Sequence, residues 1–226
     1  MIKAVIFDLD DTLISEYDYI KSGYKVITKK IKKDFKLKKS EEDIFGIMWK
    51  LFEDNSKNVF NILLETFKLD YNEEYIKELV QAYREHIPNI KFYDDVLPCL
   101  NRLKNQEIKL GMITDGYVIT QKHKLEVLNA YTLFDKIIIT DELGEKFWKP
   151  SPKAFEIMRD FFNIKYEEMV YIGDNPKKDF YIKKYYPINT VRVHRKNSVY
   201  ENEKYLENFK EDAIITELTQ IEKNLI

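Results

Sequence analysis

The stretch Lys3-Ala-Val-Ile-Phe-Asp-Leu-Asp-Asp-Thr12 is the strongest indication of the fold in this chain. Its first half is a short apolar run, which is typical of a strand buried on both faces of a parallel sheet. Its second half places Asp8 and Asp10 directly after that strand. Open parallel sheets bind ligands just beyond the carboxyl ends of their strands, so both carboxylates lie where a site is expected.

Similar apolar runs recur along the chain, with helical patterns between most of them. They cover residues 110–114, 137–140, 170–173 and 190–193. Alternating strands and helices predict an α/β protein with a parallel sheet covered by helices. Residues 16–91 differ, because their apolar residues follow only helical spacing, as in Ile20, Tyr24, Ile27 and Ile31. We therefore predict an α/β core formed by residues 1–15 and 92–226, with an all-helical insert at 16–91.

Composition excludes several classes of function. The chain has 226 residues and a net charge of −2, so no overall field favours nucleic acid or a membrane surface. The single cysteine, Cys99, rules out an intrachain disulfide and indicates a reducing compartment. No apolar run is long enough to cross a bilayer. We expect a cytoplasmic monomer or homodimer that binds neither nucleic acid nor membranes.

Polar residues follow two more of the predicted strands. Thr114, Asp115 and Gly116 come after the second run, and Asp174 follows the run at 170–173. Three strands therefore deliver polar groups to one edge of the sheet. Asp8, Asp10 and Asp174 would repel one another there, and a hard divalent cation with oxygen ligands, such as Mg²⁺, relieves that repulsion.

Such a cluster suits phosphoryl transfer. A carboxylate beside the cation can attack phosphorus and form an acyl phosphate. The charge on the transferring oxygens needs positive partners, and Lys149, which precedes a predicted helix start, is a candidate. Thr114 can hydrogen-bond a phosphate oxygen. Asp10, two residues beyond Asp8, can protonate the leaving group.

Four motifs in order resemble those of the haloacid dehalogenase-like superfamily of phosphatases. The motifs are Asp8-Leu-Asp10-Asp-Thr12, Ile113-Thr114-Asp115-Gly116, Lys149-Pro-Ser-Pro-Lys-Ala-Phe155 and Gly173-Asp174-Asn-Pro-Lys-Lys-Asp179. The resemblance covers residues 1–15 and 92–205. It implies a Rossmann-like core in which the helical insert is a cap that opens and closes over the site and sets substrate choice.

The resemblance also implies roles for individual residues. Asp8 would be the nucleophile and a metal ligand, and Asp174 a second metal ligand. Asp10 would act as acid and then as base, and its main-chain carbonyl would also bind Mg²⁺. Asp179 would either bind the metal itself or contact the residues that bind it.

Three further residues are expected at the substrate. Thr114 and Lys149 would join the catalytic residues. Together with Asp115 they would bind the phosphate of a small phosphorylated metabolite.

Several alternatives remain open at this level. Dehalogenases of the superfamily lack an acid at the position of Asp10, so its presence leaves a phosphatase or a phosphomutase, with hydrolysis favoured. A phosphate-accepting signalling module and a catalytically silent binding protein are rivals from other classes. Sugar phosphates, phosphoglycolate and nucleoside monophosphates all suit a capped core, and nothing in the sequence ranks them.

Overall fold

The computed structural model describes residues 1–200 and 203–221, which divide into two compact units. The first unit comprises residues 1–17 and 90–226, and the second comprises residues 18–89. In the described part of the chain no helix is long and apolar enough to cross a membrane.

A six-stranded parallel sheet forms the centre of the first unit. Its strands are β1 (Ala4–Phe7), β2 (Lys109–Thr114), β3 (Lys136–Ile139), β4 (Met169–Gly173), β5 (Asn189–Val193) and β6 (Ala213–Ile215). Their order is β3-β2-β1-β4-β5-β6, and every neighbouring pair is parallel. This is the doubly wound order, so the predicted Rossmann-like class is confirmed. Strand β6 lies beyond residue 205 and was not among the predicted strands.

Three helices of the first unit follow from the crossover connections that parallel strands require. They are α5 (Val96–Asn105), α6 (Val118–Val127) and α7 (Lys153–Phe162). Phe155 and Met158 of α7 belong to a buried cluster with Ile6 and Tyr171 of the sheet. Helix α7 and the sheet approach closely at Gly111, where an added Cβ would lie 2.8 Å from the sulfur of Met158.

The second unit contains only helices among its regular elements. They are α1 (Glu16–Asp34), whose first two residues belong to the first unit, α2 (Glu41–Asp54), α3 (Val59–Thr66) and α4 (Glu73–Glu85). Ser40 caps α2 and Asn72 caps α4, since each side chain accepts a backbone N–H of the first turn. The ring of Tyr24 contacts four other aromatic rings, those of Trp49, Phe52, Phe60 and Tyr83. These four half-buried rings therefore cover the buried Tyr24.

The chain leaves the first unit and returns to it at neighbouring points. Ile14 and Phe92 form an antiparallel bridge. The amide of Tyr93 donates to the carbonyl oxygen of Leu13 over 3.0 Å. Both ends of the inserted segment are thus held together within the first unit.

Candidate active site

The carboxyl ends of three adjacent strands create the candidate site. Asp8 follows β1, Thr114 ends β2 and Asp174 follows β4. Because β1 lies between β2 and β4, these residues share one edge of the sheet. The amide of Asp8 donates to Ile172 over 2.8 Å and so extends the β1–β4 ladder by one residue. The sheet itself therefore fixes the backbone of Asp8.

Lys149 is the cation at the centre of the site. Its Nζ lies 2.7 Å from Asp8 Oδ1, 2.8 Å from Asp179 Oδ1 and 2.7 Å from the hydroxyl of Tyr171. The side chain of Lys149 is fully buried. Burial acts to lower the pKa of Lys149, but Asp179 and Asp8 outweigh it and hold that pKa above its usual value. Lys149 therefore stays charged between two carboxylates.

Asp8, Asp174 and Asp179 form a buried carboxylate cluster. Each offers one oxygen, and these oxygens lie within 4.8 Å of one another. Burial and the charges of Asp179 and Asp8 raise the pKa of Asp174 well above its usual value. Its Oδ2 is buried and has no hydrogen-bond partner among the residues that the structure describes. A hard cation with oxygen ligands fits this donor set, because it would satisfy the unpartnered oxygen and offset the repulsion.

Gly173 makes room for Asp179 in this cluster. A Cβ at Gly173 would lie 2.5 Å from Asp179 Oδ2, which no real contact allows. Asp179 Oδ2 also accepts the amide of Asn175 over 2.8 Å. Two groups therefore hold the carboxylate of Asp179: the amide of Asn175 in the turn after β4, and the ammonium of Lys149.

The second motif supplies one unpartnered hydroxyl and one occupied carboxylate. Thr114 is fully buried, and its Oγ1 has no hydrogen-bond partner within the described residues. Asp115 accepts Thr140 Oγ1 over 2.7 Å and the amide of Lys149 over 3.1 Å, and its Oδ2 lies 3.0 Å from Lys178 Nζ. The carboxylate of Asp115 thus binds protein donors and supports the segment that carries Lys149.

The carboxylate of Asp10 pairs with two side chains of α6. Its Oδ1 lies 2.7 Å from Lys124 Nζ, and its Oδ2 lies 3.1 Å from Gln121 Nε2. Any part of Asp10 in metal binding therefore falls to its main-chain carbonyl, which the resemblance also implies.

Two acidic groups lie next to Asp10. Asp11 has a positive φ of 51° and accepts the amides of Glu16 and Val199. Burial raises the pKa of Asp11 to about 6. Burial, with the charge of Asp10, raises the pKa of Glu16 to about 8. Its Oε2 is buried and has no hydrogen-bond partner in the described part of the chain.

Sequence reasoning missed four residues of this region, namely Gln121, Lys124, Tyr171 and Lys178. Lys178 stands next to Asp179 in the fourth motif, so its position was a usable signal. Gln121 and Lys124 are three residues apart on α6, a spacing that puts both on one helix face. Tyr171 lies inside β4 and carries no signal that separates it from a core residue.

The family described as haloacid dehalogenase-like hydrolase matches residues 5–193 of the chain. This match spans the sheet from β1 to β5 and all the motifs that form the site. The chain therefore belongs to the haloacid dehalogenase-like hydrolases.

Relatives define the class within that family. The chain is 31% identical to glyceraldehyde 3-phosphate phosphatase from Methanopyrus kandleri over 86% of this chain and 85% of that one. It is 32% identical to the protein of the same name from Pyrococcus furiosus over 97% and 91% of the two chains. A phosphatase structure from Thermococcus onnurineus superimposes with a TM-score of 0.62 at 24% identity. The superposition covers 98% of this chain and 97% of that one. The predicted class, a phosphatase of this family, is confirmed.

Proposed function

We propose that this protein is a Mg²⁺-dependent phosphatase that hydrolyses a small phosphate monoester through an aspartyl phosphate on Asp8. The observation that carries the proposal is the buried cluster of Asp8, Asp174 and Asp179, in which Asp8 and Asp179 pair with the ammonium of Lys149. Removing carboxylates from water is costly unless a group of opposite charge binds beside them. A divalent cation meets that requirement, and once it is bound a phosphate dianion can approach Asp8.

Asp8 is the nucleophile in this proposal. Lys149 holds Asp8 Oδ1, which leaves Oδ2 to attack phosphorus. The new bond joins Asp8 Oδ2 to phosphorus while the bond from phosphorus to the ester oxygen breaks. The ladder bond from Asp8 to Ile172 keeps the backbone fixed during this displacement.

Lys149 and Thr114 serve the phosphoryl oxygens. The buried ammonium of Lys149 offsets their negative charge, and the unpartnered Oγ1 of Thr114 can donate to one of them. The carboxylate of Asp115 would repel a phosphate, so a contact from that residue would come from its main-chain amide.

Asp10 handles the protons of both steps. It gives a proton to the leaving alkoxide when the first bond breaks. It then takes a proton from water, which attacks the aspartyl phosphate and releases inorganic phosphate. Both oxygens of Asp10 are held by protein donors, so its position is set before substrate binds.

Asp8, Asp174 and Asp179 are the side chains that would hold Mg²⁺. When bound, Mg²⁺ supplies positive charge to the carboxylates and to the phosphate oxygens. The unpartnered Oδ2 of Asp174 supports this assignment.

Among substrates, glyceraldehyde 3-phosphate is the first candidate. Relatives that share about a third of their residues with this chain over most of their length carry the name glyceraldehyde 3-phosphate phosphatase. The helical unit at residues 18–89 is the proposed cap that selects the organic part of the ester. A cytoplasmic location stays a prediction based on composition.

The test is phosphate release from a panel of esters with and without Mg²⁺. The panel contains glyceraldehyde 3-phosphate, a hexose phosphate, phosphoglycolate and a nucleoside monophosphate, each corrected for release without enzyme. We expect the fastest release from glyceraldehyde 3-phosphate, none after chelation and none from Asp8→Asn. The exposed Asp94→Asn is the matched control and keeps full activity.

Two results would contradict the proposal. Metal-loaded protein that releases phosphate from no ester would exclude a phosphatase acting on this class of substrate. Interconversion of hexose phosphate isomers without release of inorganic phosphate would identify a phosphomutase.

A further inference from the structure

Helix α6 directs two side chains at Asp10. Lys124 lies 2.7 Å from Asp10 Oδ1, and Gln121 Nε2 lies 3.1 Å from Asp10 Oδ2. Both side chains are almost fully buried, with Lys124 3% exposed and Gln121 2% exposed. Burying a lysine is unfavourable unless its charge is paired. The contact of Lys124 with Asp10 is therefore not an ordinary ion pair of the solvated surface.

The start of α6 fixes the direction of these side chains. Asp141 Oδ2 accepts the amide of Val118, the first residue of the helix. Gly116 has a φ of 128°, and a Cβ there would lie 2.6 Å from Gln121 Nε2. A glycine at position 116 therefore allows both the turn into α6 and the approach of Gln121.

The orientation of the Gln121 amide is also determined. Its Nε2 donates to the carbonyl oxygen of Asp115 as well as to Asp10 Oδ2. Turning the amide would set its oxygen against the carbonyl oxygen of Asp115, which cannot donate to it. Gln121 thus joins the second motif to the carboxylate of the first.

We infer that Lys124 and Gln121 are positioning residues for Asp10, which hold its carboxylate where it serves the oxygen of the leaving group. This inference rests on the proposed function. Neither residue needs to touch the phosphate, because each acts through Asp10. Holding a proton donor in line with the breaking bond is a large part of its effect on the rate.

Leaving groups of different basicity separate this role from a structural one. A sugar alkoxide is a poor leaving group and needs a proton from Asp10, whereas p-nitrophenolate departs without one. The quantity to compare is kcat/KM, because it reports the steps up to the first bond cleavage and excludes the later hydrolysis of the aspartyl phosphate. A loss confined to the alkyl ester indicates misplacement of the acid.

The experiment measures kcat/KM of Lys124→Met and Gln121→Leu on the best alkyl phosphate of the panel and on p-nitrophenyl phosphate. We expect at least about a 10-fold loss for Lys124→Met on the alkyl ester and less than about 3-fold on the aryl ester, given the ~10²–10⁴-fold that general acid catalysis supplies. Gln121→Leu removes no charge and should show the same selective pattern at smaller size. Lys124→Arg, which keeps a cationic donor, should recover part of the loss.

Lys122→Met is the matched control, since Lys122 lies on the same helix but its side chain is 44% exposed and pairs with Glu142 at 2.9 Å. It should leave both values of kcat/KM unchanged. Equal losses on both esters in Lys124→Met and in Gln121→Leu would overturn the inference while leaving the proposed function intact. Wild-type protein that hydrolyses neither ester would instead refute the proposed function, and the inference with it.

Discussion

Replacing Lys149 by methionine tests the charge balance of the site most directly. The substitution keeps a long apolar side chain but removes the ammonium that lies 2.7 Å from Asp8 and 2.8 Å from Asp179. Removing one partner of a buried ion pair typically costs about 3–5 kcal/mol, because the remaining charge is left without compensation. Since 1 kcal/mol shifts Tm by about 2–4 °C in a chain of this size, we expect a fall of about 6–20 °C without metal.

The sign of the pH dependence follows from the same contacts. Lys149 opposes the effect of burial on the pKa of Asp8, so its removal raises that pKa further. A carboxyl group with a raised folded-state pKa binds more protons folded than unfolded, and stability is lost as pH rises through that range. The destabilisation by Lys149→Met should therefore be larger near pH 8 than near pH 5. Added Mg²⁺ should restore part of it.

Urea unfolding in chelator and in Mg²⁺, at both pH values, measures these effects. Lys153→Met is the control, because the side chain of Lys153 is half exposed and its ion pair with Glu156 is long, at 3.3 Å. Its unfolding free energy should change by no more than about 0.5 kcal/mol. If Lys149→Met were as stable as the wild type near pH 8 without metal, the assigned charge balance would be refuted.

Three other changes have defined outcomes. Gly173→Ala drives a Cβ into Asp179, so we expect a loss of about 1–3 kcal/mol of stability together with most of the activity, by urea unfolding and kcat/KM. Full activity would contradict the close approach. Asp174→Asn should abolish the stabilisation by Mg²⁺, which is about 2.7 kcal/mol for wild type at 100 times Kd. A variant that still melts higher in Mg²⁺ would show that Asp174 is not a ligand. Glu16→Gln removes a group whose folded-state pKa is about 8, so the loss of stability between about pH 5 and 8 should become smaller than in wild type. Identical pH profiles by thermal unfolding would exclude a buried, protonated Glu16.

Much of the fold could be predicted from the sequence because its signals are local. The apolar runs at 3–7, 110–114, 137–140, 170–173 and 190–193 became β1 to β5 with boundaries within one residue. Strand β6 was missed because Ala213–Ile215 is only three residues long and Ile214 is exposed. Such a strand depends on its pairing with β5 rather than on its own pattern.

The candidate site was predictable only where a strand end or a motif marks a residue. Asp8, Thr114, Lys149 and Asp174 were named for that reason, and the structure brings them to one edge of the sheet. The contacts of Asp10 with Gln121 and Lys124 join positions more than 100 residues apart, through the packing of α6. No local sequence pattern predicts contacts between residues so far apart in the chain. Roles in catalysis stay predictions until the variants are measured.

The bridge between Ile14 and Phe92 has a consequence for how this protein can change. Because the two ends of the inserted segment are joined by this bridge within the first unit, the residues between them can be lengthened, shortened or exchanged without altering the sheet. A short turn in place of residues 18–89 should leave a core that still folds. Natural variation can likewise remodel this segment for a new ester while the reacting groups stay where they are.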